Sequence, residues 1–279
     1  MKIGVILESF RTDFVKSVRQ AAALGASGVQ IYANTSTLNE NISRSDIEKI
    51  RSVIEGEGLC ISALCGDFGC DMYYTRDRAQ IDREKRIMDI AKELGTDIVT
   101  THIGVVPDTE NCAQYESMHE VCYELAQYAD SVKGHFAVET GPEKATALKN
   151  FLDKLNSRGV AVNLDPANLV MCAGDDPVSA VHILKDYIVH THAKDGVMLK
   201  KCDTRALYAP AYFGLRQLNW GEHIEERPLG KGDVSWGKYL DALKEIGYDG
   251  FLTIERECGD TPYEDISAAV SFLKKQLGE

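Results

Sequence analysis

The chain has 279 residues, a formal net charge of −12 and a hydrophobic fraction of 44%. This acidic balance disfavours nucleic acid or an anionic membrane as the main partner, because both attract basic surfaces. The N-terminal segment lacks the apolar run and cleavage site of a signal peptide, and no stretch reaches the roughly 18 apolar residues of a membrane span. The eight cysteines form no C-x-x-C pair, which favours reduced thiols. These features predict a cytoplasmic globular protein.

Strand-like runs and helical patterns alternate along the chain. Short apolar runs predict strands at 2–8, 28–33, 60–66, 97–103, 135–140, 160–165, 188–193 and 250–255. Amphipathic patterns predict helices at 13–24, 44–57, 81–94, 112–131, 144–157, 177–186, 235–246 and 262–277. Gly25, Gly95 and Gly247 follow three of these patterns where a helix C-cap belongs.

The predicted strands are continuous apolar runs, which is typical of a parallel sheet covered by helices. Eight β–α units predict a single (β/α)8 TIM barrel domain over residues 1–279, with a long loop after the seventh strand. A doubly wound open sheet is the alternative. Such a sheet usually carries a Gly-rich nucleotide-binding turn after an early strand, and the Gly-x-Gly of PLGKGDVSW does not follow a strand-like run.

Residues 197–233 depart from this alternation. Connections of this length in compact domains are usually functional or disordered, and large side chains argue against disorder. We predict that the segment forms a partial lid over the barrel mouth, with contacts inside a homo-oligomer as the alternative. Its aromatic and basic residues are Lys200, Lys201, Arg205, Tyr208, Tyr212, Phe213, Arg216, Trp220 and Arg227.

Four successive predicted strands end on an acidic or imidazole side chain. In a TIM barrel the carboxyl ends of all strands meet at one rim, so these groups should converge. Burying a carboxylate without a partner is costly, and a divalent cation would compensate several at once. Three carboxylates and one imidazole suit Mn²⁺, Mg²⁺, Co²⁺ or Fe²⁺, with Zn²⁺ also possible. The residues are Glu139, Asp165, His192 and Glu255.

The motifs around these residues resemble the sugar-phosphate isomerase/epimerase family, the xylose isomerase-like barrels. The resemblance is carried by AVETG, NLDPANL, VHTHAKDG, PLGKGDVSW and GYDGFLTIERE. It implies one divalent metal, Mn²⁺ before the others, held by Glu139, Asp165, His192 and Glu255. His192 is preferred over His190 because the family ligand is the His of His-x-x-Asp/Glu. His190 is then expected to point to the other side of the strand or to lie behind the ligands.

The resemblance also implies an activity. It predicts an isomerase or epimerase of a small sugar or sugar phosphate, in which Glu139 and Glu255 act as acid and base through an enediolate. An inosose-dehydratase-type lyase uses the same parts and is an alternative. A non-catalytic sugar-binding barrel and an abasic-site endonuclease are further alternatives, and the acidic charge disfavours the last.

Further residues are candidates for binding the substrate. His102 is expected to hydrogen-bond a substrate hydroxyl, with a buried structural role as the alternative. Asn168 stands where several ketose epimerases of the family carry a histidine, so contacts there should differ. Two arginines could meet a phosphate or carboxylate. The full set is His102, Asn168, Lys194, Arg216, Arg227 and Glu8.

Overall fold

The computed structural model describes residues 1–278. Its strands are β1 (Lys2–Ile6), β2 (Gly28–Tyr32), β3 (Cys60–Cys65), β4 (Ile98–Thr101), β5 (His135–Glu139), β6 (Val160–Leu164), β7 (Ile188–Ala193), β8 (Asp195–Met198), β9 (Ile224–Arg227) and β10 (Phe251–Ile254). Eight of them form a closed parallel barrel in the order β1-β10-β7-β6-β5-β4-β3-β2. The predicted (β/α)8 TIM barrel is therefore confirmed.

Strand β1 closes the barrel by pairing in parallel on both sides. Val5 lies opposite Val29 of β2 and opposite Ile254 of β10. All five residues of β6 are buried, as expected where a strand faces the barrel interior on one side and helices on the other. Because every barrel strand runs in the same direction, all eight carboxyl ends share one rim.

The helices are α1 (Phe14–Leu24), α2 (Arg44–Gly56), α3 (Asp71–Thr75), α4 (Arg78–Leu94), α5 (Ala113–Ser131), α6 (Ala145–Leu155), α7 (Pro166–Asn168), α8 (Pro177–Leu184), α9 (Arg205–Tyr208), α10 (Trp236–Glu245) and α11 (Pro262–Leu277). Gly95 caps α4 with φ 87°, a left-handed conformation that glycine adopts without strain. Helix α4 begins earlier than predicted because the Asp77 side chain accepts from the amides of Ala79 and Gln80. Within residues 1–278, no helix is both long and apolar enough to cross a membrane.

The segment predicted as a long loop contains regular structure. Strands β8 and β9 form an antiparallel pair in which Met198 lies opposite Ile224. Between them lie α9 and two short 3-10 turns, Pro210–Phe213 and Trp220–Glu222. The eighth barrel strand is therefore the tenth strand of the chain, because this hairpin comes before it.

Candidate active site

The four predicted ligands come from the carboxyl ends of β5, β6, β7 and β10, and between 0% and 7% of each residue is exposed. One ligand atom of each lies within 4.8 Å of the others. Metal–ligand bonds are about 2.0–2.6 Å long, so ligands on opposite sides of one ion are about 4–5 Å apart. The spacing of Glu139, Asp165, His192 and Glu255 is compatible with one divalent ion.

One carboxylate oxygen of Asp165 accepts a hydrogen bond, and the other has no hydrogen-bond partner within residues 1–278. It directly precedes α7, and its Oδ1 accepts a hydrogen bond from the Asn168 amide at 2.9 Å as an N-cap. Its Oδ2 is buried without a hydrogen-bond partner in the described structure. A buried carboxylate oxygen without a partner is costly, and a bound cation would satisfy this atom.

Glu139 is held by hydrogen bonds at both oxygens. Its Oε1 accepts from Asn168 Nδ2 at 3.0 Å, and its Oε2 accepts from Asn163 Nδ2 at 3.1 Å. Burial alone would raise the pKa of Glu139, but the nearby imidazoles of His102 and His192 outweigh it and hold the pKa well below its ordinary value. The side chain is therefore an oriented, ionised carboxylate.

The orientation of His192 leaves one ring nitrogen for the cluster. Its Nε2 lies 3.1 Å from Gln30 Oε1, an acceptor, and 3.1 Å from Asn163 Nδ2, a donor, so this nitrogen faces two side-chain amides. Its Nδ1 lies 3.3–3.5 Å from one oxygen of each of the three carboxylates. Burial opposes protonation, but the carboxylates of Glu139 and Glu255 outweigh it and raise the pKa of His192. Ligating histidines commonly donate their other N–H to such a partner.

His190 lies one layer deeper in the barrel. Its Nδ1 is 2.9 Å from Asn163 Oδ1 and its Nε2 is 2.9 Å from Thr253 Oγ1. Burial, and secondly the nearby His192, lower the pKa of His190 to about 3, so the ring is neutral. The expectation that His190 points to the other side of the strand is wrong, because residues two apart on a strand face the same side. The alternative expectation, that His190 lies behind the ligands, is confirmed, since Asn163 connects His190 to Glu139.

Lys194 is a buried partner of Glu255. Its Nζ lies 3.0 Å from Glu255 Oε2 and also pairs with Glu257. Burial would raise the pKa of Glu255, but the positive charge of Lys194, followed by that of His192, outweighs it and lowers this pKa. Glu255 is therefore ionised as well.

His102 connects the cluster to a carboxylate that follows the neighbouring strand β3. It directly follows β4, its Nδ1 lies 3.0 Å from Asp67 Oδ2, and its Nε2 lies 3.3 Å from Glu139 Oε1. Burial lowers the pKa of His102, but the carboxylates of Glu139 and Asp67 together raise it well above its ordinary value. The imidazole is therefore protonated between two carboxylates.

A cavity of about 1080 Å³ opens above the cluster. Of the predicted site residues, those that line it are Glu139, His192, Glu255, His102, Asn168, Lys194 and Arg227. Glu8 lies in a 3-10 turn after β1 and is not part of the described wall, and burial raises its pKa to about 7. Arg216 is exposed and also lies outside that wall. Substrate contacts of these two residues stay predictions.

The 197–233 segment contributes two of its four predicted aromatics to the cavity wall. Tyr208 and Trp220 line the cavity with ring centroids 4.8 Å apart in a T-shaped arrangement. Tyr212 instead stacks on Tyr74, at 4.4 Å between centroids, and its hydroxyl donates to Asp71 at 2.8 Å. Phe213 packs edge-on against Tyr74. The segment therefore runs along the carboxyl-end rim from β8 to the residues around α3.

Asp195 holds the C-terminal end of this segment in place through hydrogen bonds. The residue is 1% exposed, and its Oδ2 accepts from the Gly230 amide at 2.9 Å and from Trp236 Nε1 at 3.0 Å. A Cβ at Gly232 would come within 2.2 Å of Asp195 Oδ1, so the close approach requires glycine. The motif PLGKGDVSW thus wraps around one buried carboxylate beside β8.

Sequence reasoning did not single out three residues that support the cluster. Gln30 and Asn163 are fully buried polar residues inside apolar strands, and they contact His192 and Glu139. Asp67, near the end of β3, partners His102. A polar residue interrupting an otherwise apolar strand was the available signal for Gln30 and Asn163.

The fold and the site together define a parallel TIM barrel whose rim gathers three carboxylates and an imidazole compatible with metal binding. The chain belongs to the xylose isomerase-like TIM barrel family, whose profile matches residues 18–276. A comparison with curated proteins found no match.

Several solved structures share this fold. A xylose isomerase domain protein from Planctomyces limnophilus is 24% identical, with a TM-score of 0.78 over 99% of this chain and 96% of that one. A probable 3-DHS dehydratase from Bacillus anthracis is 17% identical, with a TM-score of 0.75 over 98% and 99%. D-Psicose 3-epimerase from Clostridium cellulolyticum H10, solved with D-tagatose, is 15% identical, with a TM-score of 0.73 over 99% of each chain. Similar structures thus include a sugar epimerase and a dehydratase.

Proposed function

We propose that the protein is a divalent-metal-dependent isomerase or epimerase of a small sugar or sugar phosphate. The observation that carries the proposal is the buried cluster whose ligand atoms lie within 4.8 Å of one another. Membership of the xylose isomerase-like family and the epimerase among the similar structures support the same chemistry.

The residues that would hold the metal are Glu139, Asp165, His192 and Glu255. Asp165 Oδ2 is buried without a hydrogen-bond partner in the described structure, which fits a cation ligand. Three carboxylates favour a hard ion, and Mn²⁺ tolerates the added imidazole. Bound there, the ion would polarise the substrate carbonyl and offset negative charge on its oxygens.

Glu139 and Glu255 would move the proton. Both carboxylates are ionised, since the pKa of each is lowered by neighbouring cationic side chains. One of them would remove the proton from the carbon next to the carbonyl, giving an enediolate, and the other would return a proton. Return to the opposite face inverts the centre, whereas return to the neighbouring carbon interconverts ketose and aldose.

The surrounding residues would orient these groups and exclude water. Asn168 and His102 contact Oε1 of Glu139, while Lys194 contacts Glu255. Tyr208 and Trp220 line the side of the cavity formed by the 197–233 segment. There they would exclude water from an intermediate that bulk solvent would protonate without control.

Metal analysis followed by NMR-detected exchange tests this function. We expect about one divalent ion per chain and Mn²⁺-dependent uptake of solvent deuterium next to the carbonyl of a ketose. Asp165→Asn should lose both, whereas Asp241→Asn, an exposed aspartate on α10, should keep both. Full metal content in Asp165→Asn would contradict the ligand assignment. A dehydratase would instead release water and give an unsaturated product.

A further inference from the structure

The permanently charged cations at the cavity wall already have carboxylate partners. Lys194 pairs with Glu255 and Glu257, and only 6% of the lysine is exposed. Arg256 is 8% exposed, and its Nε lies 2.8 Å from Asp265 Oδ2. Its Nη1 pairs with a second carboxylate, that of Glu226, so burial and dual pairing fix these two cations.

Arg227 is the third such cation. It is exposed, and its Nη2 lies 2.7 Å from Glu225 Oε2. An exposed pair of this kind is weak, so Arg227 could turn toward an anion, but Glu225 would remain beside it. Within residues 1–278, each of these cations of the cavity wall therefore has a carboxylate beside it that would compete with an anionic substrate.

Carboxylates outnumber these cations at the cavity wall. The lining carboxylates are Asp67, Glu139, Glu225, Glu226, Glu255 and Glu257. With Glu139 and Glu255 assigned to a metal, the other four carboxylates face three permanent cations and His102, and each of these four groups already contacts a carboxylate. A phosphate carries about −1.5 to −2 charges at neutral pH and would have to compete with these carboxylates for each positively charged group.

Part of the cavity wall, formed largely by the 197–233 segment, is apolar. Its side chains are Met171, Leu199, Tyr208, Trp220 and Ile224. The rings of the half-buried Tyr208 and of Trp220, which is 39% exposed, offer aromatic surface against which the C–H face of a sugar ring can pack. The cavity of about 1080 Å³ matches the upper end of the ~300–1,000 Å³ that drug-sized ligands fill. One six-carbon sugar is smaller than such ligands, so a second ring has room.

We propose that the substrate is an uncharged saccharide of at least two rings, with its ketose end at the metal cluster and its second ring against Tyr208 and Trp220. The proposal rests on the proposed function and deepens it, because it selects uncharged sugars over sugar phosphates and sugar acids. It also gives Arg227 the role of a partner to Glu225 in place of an anion anchor.

Three ketoses that differ at one oxygen test the substrate class. D-Fructose has a free 6-hydroxyl, D-fructose 6-phosphate carries a phosphate there, and isomaltulose carries a glucose there. Binding to the Mn²⁺-loaded protein is measured by calorimetry and deuterium uptake by NMR. We expect isomaltulose to bind about tenfold more tightly than fructose and fructose 6-phosphate to bind most weakly. Phosphate-ester binding as tight as that of isomaltulose, or no binding by either uncharged sugar, would overturn the proposal.

Variants of Trp220 and Glu225 connect the preference to named residues, and a Tyr123 variant is the control. Trp220→Ala should remove most of the tenfold advantage of isomaltulose over fructose, and Trp220→Leu should keep part of it. Tyr123→Ala removes a 47% exposed aromatic from α5 and should leave the ratio unchanged. Glu225→Gln frees Arg227 and should tighten fructose 6-phosphate binding several-fold. If the ratio of isomaltulose to fructose affinity is unchanged in both Trp220 variants, the second ring does not contact Trp220.

The two readouts separate this inference from the proposed function. If no ketose takes up deuterium but isomaltulose still binds most tightly, the function fails and the substrate class stands. If fructose 6-phosphate takes up deuterium fastest, the function stands and the substrate class fails.

Discussion

The strand-end cluster and the 197–233 segment form two walls of the same cavity and are built in different ways. The cluster comes from the ends of barrel strands that pair with neighbours on both sides, and each of its four residues is at most 7% exposed. The segment is made of a hairpin and helical turns of three or four residues, with Leu199 49% exposed and Trp220 39% exposed. Few buried apolar contacts leave such a region less stable locally than a barrel.

This difference assigns different roles to the two walls. Groups that move protons or hold an ion must keep their geometry to within about half an ångström, and rigid strand ends provide that. Groups that select a substrate can differ between relatives without disturbing the barrel, and surface segments tolerate such change. We therefore expect changes in the cluster to affect turnover and changes in the segment to affect substrate binding.

The largest expected effect comes from the two glutamates of the cluster. Glu139→Gln and Glu255→Gln should each lower turnover at least ~10²-fold at saturating Mn²⁺, because an amide cannot accept the substrate proton. Steady-state kinetics with metal analysis on the same samples measures this. Glu264→Gln, an exposed glutamate on α11, should behave as wild type. Full turnover once Mn²⁺ saturates the variants would show that the glutamates serve only as ligands.

A smaller effect should come from the other wall. Replacing residues 203–220 by a short Gly/Ser linker removes Tyr208 and Trp220 from the cavity and should raise KM about tenfold, the loss of roughly 1.4 kcal/mol of binding. Metal content should stay the same, because the four ligands lie outside the replaced part. Tyr212→Ala, which removes a ring packed on Tyr74 away from the cavity, should raise KM much less. Unchanged kinetics in the linker variant would show that the segment does not act as a lid in the reaction.

The sequence predicted the cluster far better than the segment. Glu139 and Glu255 could be placed because parallel strands bring their carboxyl ends to one rim, and that depends only on strand order. Asp67 could not be placed as the partner of His102, because the contact depends on how the turn after β3 folds. The hairpin of β8 and β9 depends similarly on Asp195, whose carboxylate binds amides 35 and 39 residues further along the chain.

The smallest expected effect tests why the cluster tolerates buried charge. Glu84 of α4 is a buried carboxyl of another kind: it is 0% exposed, and neither oxygen has a hydrogen-bond partner in the described structure. It lies against the backbone at Gly66, where an added Cβ would come within 2.7 Å of its Oε1. Burial, and secondly the charge of Asp67, raises the pKa of Glu84 well above its ordinary value. Glu84 should therefore be protonated in the folded protein, whereas Glu139 is ionised.

A raised carboxyl pKa makes stability depend on pH in a known direction. The folded chain keeps the Glu84 proton where the unfolded chain has lost it, so the free energy of unfolding falls as pH rises above the unfolded pKa, by about 1.4 kcal/mol per pH unit until the folded pKa is reached. Glu84→Gln does not titrate, so its stability relative to wild type should rise by about 1 kcal/mol or more between about pH 5 and pH 8. Urea unfolding at both pH values measures the difference, with Glu116→Gln, an exposed glutamate on α5, as a control that should show little change. A pH-independent difference for Glu84→Gln would mean that this carboxyl is ionised in the folded protein. Glu84 would then be ionised like Glu139 and Glu255, although it lacks the compensating neighbours that those two carboxylates have.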